Sequence, residues 1–238
     1  RSRGLGDVYK RQPLYAPQSK EDSDIFNRFV LAGYELIQTW QGFVYHMTCR
    51  GSRFKDGALR NPTGQTFMKN RESSEWLTQN ARSTRNFIRK WGHMVKHDEY
   101  MKPIVPPKYD VGFVVNNCDN NLLRELEPWC STIYADTSAN VFDGYIENEQ
   151  PNTLMPLTDR VKSILAEPEN DIVIEFDGQM LTPQNFHFIA NLSEMLQDSG
   201  EIGEMEYEIF KINIKSLKTY EKELIKMKKT LDINKNNV

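Results

Sequence analysis

No apolar run in this sequence approaches the roughly 18 residues that a membrane-spanning helix needs. Nor does its beginning show the succession of basic, apolar and small residues that marks a secretory signal. Basic charge is not in excess: 30 Lys and Arg stand against 33 Asp and Glu, a net charge of −3. A chain so balanced carries no field to draw it onto nucleic acid, so none is expected as a partner. Cysteine is scarce, with only Cys49, Cys118 and Cys130, odd in number and widely spaced. A disulfide framework normally shows an even and denser set, so a reducing, cytoplasmic setting is expected. No CxxC or Cys/His grouping offers a structural zinc site. What is present is the mixture of a soluble globular protein, 39% hydrophobic and 26% charged over 238 residues. That length suffices for one large domain or two modest ones.

Residues 1–12, RSRGLGDVYKRQ, show neither helical nor strand periodicity. The string resembles translated sequencing adaptor at the broken end of a metagenomic reading frame, and is expected to be non-native. Over 21–32, Ile25, Phe26, Phe29 and Val30 share one helical face, and Gly33 stands where a left-handed stop belongs. Residues 34–39 and 43–48 read as two strands joined across Gln41-Gly42. A long loop is expected over 49–65 and a second helix over 73–91. Pro103, Pro106 and Pro107 mark 101–108 as a linker between a region 13–100 and a region 109–216.

Beyond the linker the pattern changes. Strands are predicted at 111–115, 132–135, 172–176 and 207–214, and helices at 121–128, 157–165 and 183–196. Thr182 is placed to cap the last helix and Pro183 to open it. Such alternation predicts an α/β domain with a mainly parallel sheet. From Lys215 onward the chain reads as a Lys- and Glu-rich helix, with 217–238 as a charged helical tail.

The chemistry-bearing stretch is KEDSDIFNRFVLAGYELIQTWQGFVYH, residues 20–46. Glu21 and Asp22 open a helix, where the macrodipole and the unpaired N–H groups hold acids ionised. A carboxylate so placed can act as general base toward a hydroxyl nucleophile. His46, on a following strand, can complete the coordination of a divalent metal. Taken singly, each has a plainer reading: acids in a first turn commonly do no more than cap, and a strand histidine is commonly structural. Arg50, Ser52, Arg53 and Lys55 follow His46 in one loop and can hold a diphosphate, although a solvated surface loop is the plainer reading.

Taken together, Glu21-Asp22, Asp24, Arg28, Ala32-Gly33-Tyr34 and Val44-Tyr45-His46 resemble the C-terminal half of family 2 inverting glycosyltransferases of the GT-A fold. Asn86-Phe87 and Lys90-Trp91-Gly92 are similar to the helix end that follows the histidine in those enzymes. The resemblance spans 20–92. It implies that Asp22, beside Glu21, deprotonates an acceptor hydroxyl and that His46 helps bind Mn²⁺ or Mg²⁺. It further implies a nucleotide-sugar donor and a glycan, lipid or protein acceptor. The family's nucleotide-binding half, with its Asp-x-Asp motif, should precede residue 20, so this stretch is not expected to be active alone.

The second region carries candidates of its own. Asp136 and Asp177 fall at the ends of predicted strands, where ligands of open α/β sheets bind. Glu175-Phe176-Asp177-Gly178 loosely resembles the metal motif of a GT-A nucleotide-binding half, with Glu in place of the first Asp. The plainer reading makes Asp177 a turn cap and the region a non-catalytic binding or assembly module. Cys118, Trp129 and Cys130 read as core residues.

Overall fold

The computed structural model describes residues 13–16, 19–42, 59–60, 66–67, 74–220 and Leu224. In chain order the elements are α1 (Glu21–Leu31), β1 (Leu59–Arg60), β2 (Thr66–Phe67), α2 (Ser74–Trp91), β3 (Lys96–His97) and β4 (Pro103–Ile104). Then come β5 (Val111–Asn116), α3 (Asn120–Leu126), β6 (Thr132–Ala135), α4 (Ala139–Glu149), α5 (Leu157–Arg160), β7 (Val161–Ser163) and β8 (Ile172–Asp177). Helices α6 (Phe186–Ala190) and α7 (Leu192–Ser199) and strands β9 (Gly203–Tyr207) and β10 (Phe210–Ile214) complete the series.

Six strands form one mixed sheet in the order β7-β6-β5-β8-β10-β9. Strands β5 to β8 run parallel, while β10 pairs antiparallel with both β8 and β9. The protein is therefore α/β with a mainly parallel sheet. The near-continuous apolar run Val111-Gly112-Phe113-Val114-Val115 suits a strand flanked on both edges and covered on both faces. Phe113 meets Phe176 edge-to-face at 5.9 Å, and Phe176 meets Phe210 at 5.2 Å, so three neighbouring strands share one aromatic stack. Leu123, Leu126, Leu157, Ile189 and Leu196 bring the helices onto the same core.

Helix α1 ends as its sequence predicts, with Gly33 at φ 81° and its N–H donating to the Val30 carbonyl. One buried carboxylate ties α1 to α2. Asp24 accepts from Lys90 Nζ at 2.6 Å, Trp91 Nε1 at 2.9 Å, Arg28 Nε at 2.9 Å and Tyr15 OH at 3.2 Å. Burial lowers the Lys90 pKa, opposed by the attraction of Asp24. A second ionic cluster joins α2 to the sheet domain. Arg89 donates to Glu127 and Glu149, Arg85 donates to Glu149, and Arg160 donates to Glu127 at 2.6 Å. Residues 101–108 contribute β4 and the buried Pro106.

Several expectations are corrected. Residues 34–39 form no strand; Tyr34 and Ile37 are exposed, so their alternation meets no sheet. The helix expected over 157–165 stops at Arg160 and the chain turns into β7. The spacing of Leu157, Val161 and Leu165 fits a helix, yet Val161 pairs with Ile133 and Leu165 stands in solvent. The helix of 183–196 is two, divided at Asn191, whose side-chain amide donates to the His187 carbonyl and competes with the helical ladder. Pro183 opens no helix: Thr182 and Asn185 close a turn, Oδ1 of Asn185 accepting from Thr182 N–H at 2.7 Å, and α6 starts at Phe186 with Asn185 at its N-cap. The strand of 207–214 is a hairpin whose turn holds Glu208 at φ 51°. Residues 215–220 are not helical, and Thr219 instead bridges Tyr109. Beyond residue 220, Leu224 alone is described, helical and buried against Leu14, Tyr15, Phe87 and Trp91.

Candidate functional site

The chain leaves β5 toward β6 and β7 on one side, and returns to β8 on the other. The carboxyl ends of β5 and β8 thus flank the point where connections diverge, the usual crevice for ligands in open parallel sheets. Asn116 and Asp177 face each other in register there. Immediately after β5, Asn117 takes φ 54°, a left-handed value that Asn tolerates better than most residues. That turn aims two consecutive amides at one carboxylate: Asn117 N–H donates to Asp136 at 2.6 Å and Cys118 N–H at 2.9 Å. The Asn117 side-chain amide donates to Asp177 Oδ1 at 3.0 Å. Asn117 therefore links the two acids, and both stand at one edge of the sheet.

Gly178 keeps this edge closed. A Cβ there would lie 2.3 Å from Leu122 Cδ2 and 3.0 Å from the Asn117 carbonyl oxygen, so only glycine fits between β8, the β5 turn and α3. Asp177 also accepts from Gln179 N–H at 2.9 Å, and Asp119 caps α3 by accepting from Leu122 N–H at 2.7 Å. Asp136 is exposed and Asp177 half-buried, so both keep lone pairs facing solvent. Acceptors of this kind suit the hydroxyls of a sugar or ribose. Asn117 carries the arrangement, and an Asn-Asn pair directly after an apolar strand is the sequence signal that would have found it.

Neither buried cysteine offers a nucleophile among the described residues. Burial, reinforced by Asp136 and Asp119, pushes the Cys118 thiol up to about 12. Burial likewise takes Cys130 up to about 12. His93 is buried with Nδ1 against the Met94 carbonyl, and burial lowers it to about 4. It is a neutral core residue.

At α1, Glu21 is half-buried and Asp22 exposed in the first turn, as the sequence placed them. Asp24, not either of these, is the acid locked into the interior. Asn86, Phe87, Lys90 and Trp91 are all buried, and their work is structural: the Asn86 amide donates to the carbonyls of Leu14 and Asn152. His46, Arg50, Ser52, Arg53 and Lys55 lie outside the described residues.

Among the described residues no three His, Cys, Asp or Glu side chains gather as metal ligands. Asp136 and Asp177 supply two carboxylates, while Glu175 is exposed on the opposite pleat from Phe176. The described residues thus do not complete the Mn²⁺ or Mg²⁺ site that the resemblance implies. None of their helices is long and apolar enough to cross a membrane.

Fold and site together define an α/β protein with a polar crevice at the switch point of a mainly parallel sheet. No family model, curated protein or solved structure matches the chain.

Proposed function

We propose that this chain is part of an inverting glycosyltransferase of GT-A type, and that the Asn117–Asp136–Asp177 crevice takes the nucleoside end of a nucleotide-sugar. The observation that carries the reading is the joining of Asp136 and Asp177 by one asparagine at the β5/β8 switch point. Acceptor-rich strand ends of this kind recognise ribose hydroxyls in other doubly wound sheets. The resemblance over 20–92 supplies the rest. Asp22 takes the proton of an acceptor hydroxyl, whose oxygen attacks the anomeric carbon from the face opposite the leaving group. The bond from that carbon to the diphosphate breaks, and the nucleoside diphosphate departs with the electron pair. Acceptors are a glycan, lipid or protein hydroxyl, and dependence on Mn²⁺ or Mg²⁺ belongs to the same reading.

The test is transfer from UDP- and GDP-sugars by the full-length protein, with product anomers read by NMR. Inverted product, and a rate lower by roughly 10²–10⁴ in Asp22→Asn, is the expected result. Retention of configuration, or undiminished turnover in Asp22→Asn, would contradict it. One observation favours the alternative, a non-catalytic binding or assembly module: among the described residues no three His, Cys, Asp or Glu side chains gather as metal ligands. That reading expects nucleotide binding without turnover.

A further inference from the structure

A groove of about 540 Å³ runs between α3 and α4, on the helical layer rather than on the strand ends that carry Asp136 and Asp177. Its volume falls within the roughly 300–1,000 Å³ of small-ligand sites. Asn120 and Arg124 line it from α3, Asn140, Gly144 and Asn148 from α4, and Asn152 from the turn beyond. The side chains of Asn120, Arg124 and Asn140 make no hydrogen bond or ion pair among the described residues. Asn148 and Asn152 are half committed: each donates its amide to a backbone carbonyl, of Gly144 and Asn148 respectively. Each therefore presents Oδ1 as an acceptor.

The groove wall thus offers both donors and acceptors, and this mixture selects the ligand. A phosphate or carboxylate only accepts, and would set its lone pairs against those of the asparagine oxygens. A divalent cation needs carboxylates, and the one at hand, Glu149, is already held by Arg85 and Arg89. Hydroxyl groups both donate and accept, and a chain of them matches the wall. The back of the groove is rigid, because Tyr145 donates to Glu127 and accepts from Arg85 within the buried ionic cluster.

Gly144 adds an independent sign. Glycine inside a helix is unfavourable relative to alanine, so its presence there asks for a reason. A Cβ at Gly144 would meet nothing within 4 Å, and its φ lies outside the left-handed region, so neither packing nor backbone requires it. What the missing side chain leaves is open floor.

We infer that this groove binds a saccharide through Asn120, Arg124, Asn140, Asn148 and Asn152, with Gly144 as its floor. The inference goes beyond the transferase reading, since such binding uses neither nucleotide nor Asp177. The experiment is an amide NMR titration of the full chain with cellotriose, maltotriose and triacetylchitotriose in turn. At least one should shift the side-chain amides of Asn120 and Asn140 at millimolar concentration. Gly144→Met, which fills the floor, should weaken that binding about tenfold or more at an unlowered melting temperature. Arg124→Ala, an exposed change, should weaken it as well, while UDP or GDP binding stays as in the wild type in both variants. If none of the three sugars moves those amides at about 10 mM, or if both variants bind as tightly as the wild type, the inference is overturned.

Discussion

Replacing Glu127 by glutamine removes the charge that holds α2 against the sheet domain. Its side chain is fully buried and accepts from Arg89, Arg160 and Tyr145. The guanidiniums of Arg160 and Arg89 outweigh the cost of burial and hold the Glu127 carboxyl at about 2 instead of 4.5. That depression corresponds to about 3 kcal/mol favouring the ionised form. Independently, breaking a buried pair from one side typically costs about 3–5 kcal/mol, because the remaining cation stays buried without its partner. Here Arg89, wholly enclosed, would keep the Glu149 carboxylate and the neutral Asn86 Oδ1 but lose the second charge that balances it. The two routes agree, so Glu127→Gln should lower the melting temperature by roughly 10 °C and reduce the urea midpoint at unchanged slope. The same carboxylate gives stability that is full above pH 4.5 and fades as pH falls toward 2. Equilibrium urea unfolding at pH 7, followed by far-ultraviolet circular dichroism, is the assay. A loss below about 1 kcal/mol would show that the cluster is solvated and that α2 is held by other contacts.

Buried neutral His93, at about 4 when folded against an ordinary 6.5, should take up its proton only on unfolding between those values. Stability should therefore be full above pH 6.5 and fall by about 3 kcal/mol toward pH 4, a slope that urea titrations of His93→Phe should lack. Gly178→Ala sets a methyl against Leu122 and the Asn117 carbonyl, and should cost about 1–3 kcal/mol while shifting the Asn117 resonances; a neutral effect would mean that the edge is loose. Cys118 and Cys130, both raised to about 12, should resist iodoacetamide at pH 8 until urea unfolds the chain, and rapid folded-state alkylation of either would contradict their enclosure.

What could be read in the sequence follows from where local and long-range forces agree. The strands around Phe113, Ile133 and Ile174 are short apolar runs, and their central burial leaves only one outcome. Helix α1 carries its own start and stop, the acids of its first turn and Gly33. Helix α4 was missed because its start, Ser138, makes no side-chain cap and its interior holds Gly144. Strand β7 is three residues of Val-Lys-Ser whose conformation is set by pairing with β6, not by local preference. The hairpin turn lacks Asn-Gly, and only the pairing of Tyr207 with Phe210 reveals it. For the site, Asp136 and Asp177 were legible because strand ends are predictable. Asn117 was not read, although the Asn-Asn pair directly after the apolar strand is a signal for the left-handed φ on which its role depends. The burial of Asp24 and Glu127 has no local signal in the sequence; partners distant in the chain, Lys90 and Arg89, hold them in the interior.

The central claim is that the crevice of Asn117, Asp136 and Asp177 holds a nucleotide, and isothermal titration of the chain with UDP and with GDP tests it most directly. The account predicts binding of about 1–100 μM for one of them, weakened at least tenfold by Asp177→Ala at an unchanged melting temperature. Absence of binding at millimolar nucleotide, or equal affinity in Asp177→Ala, would contradict it.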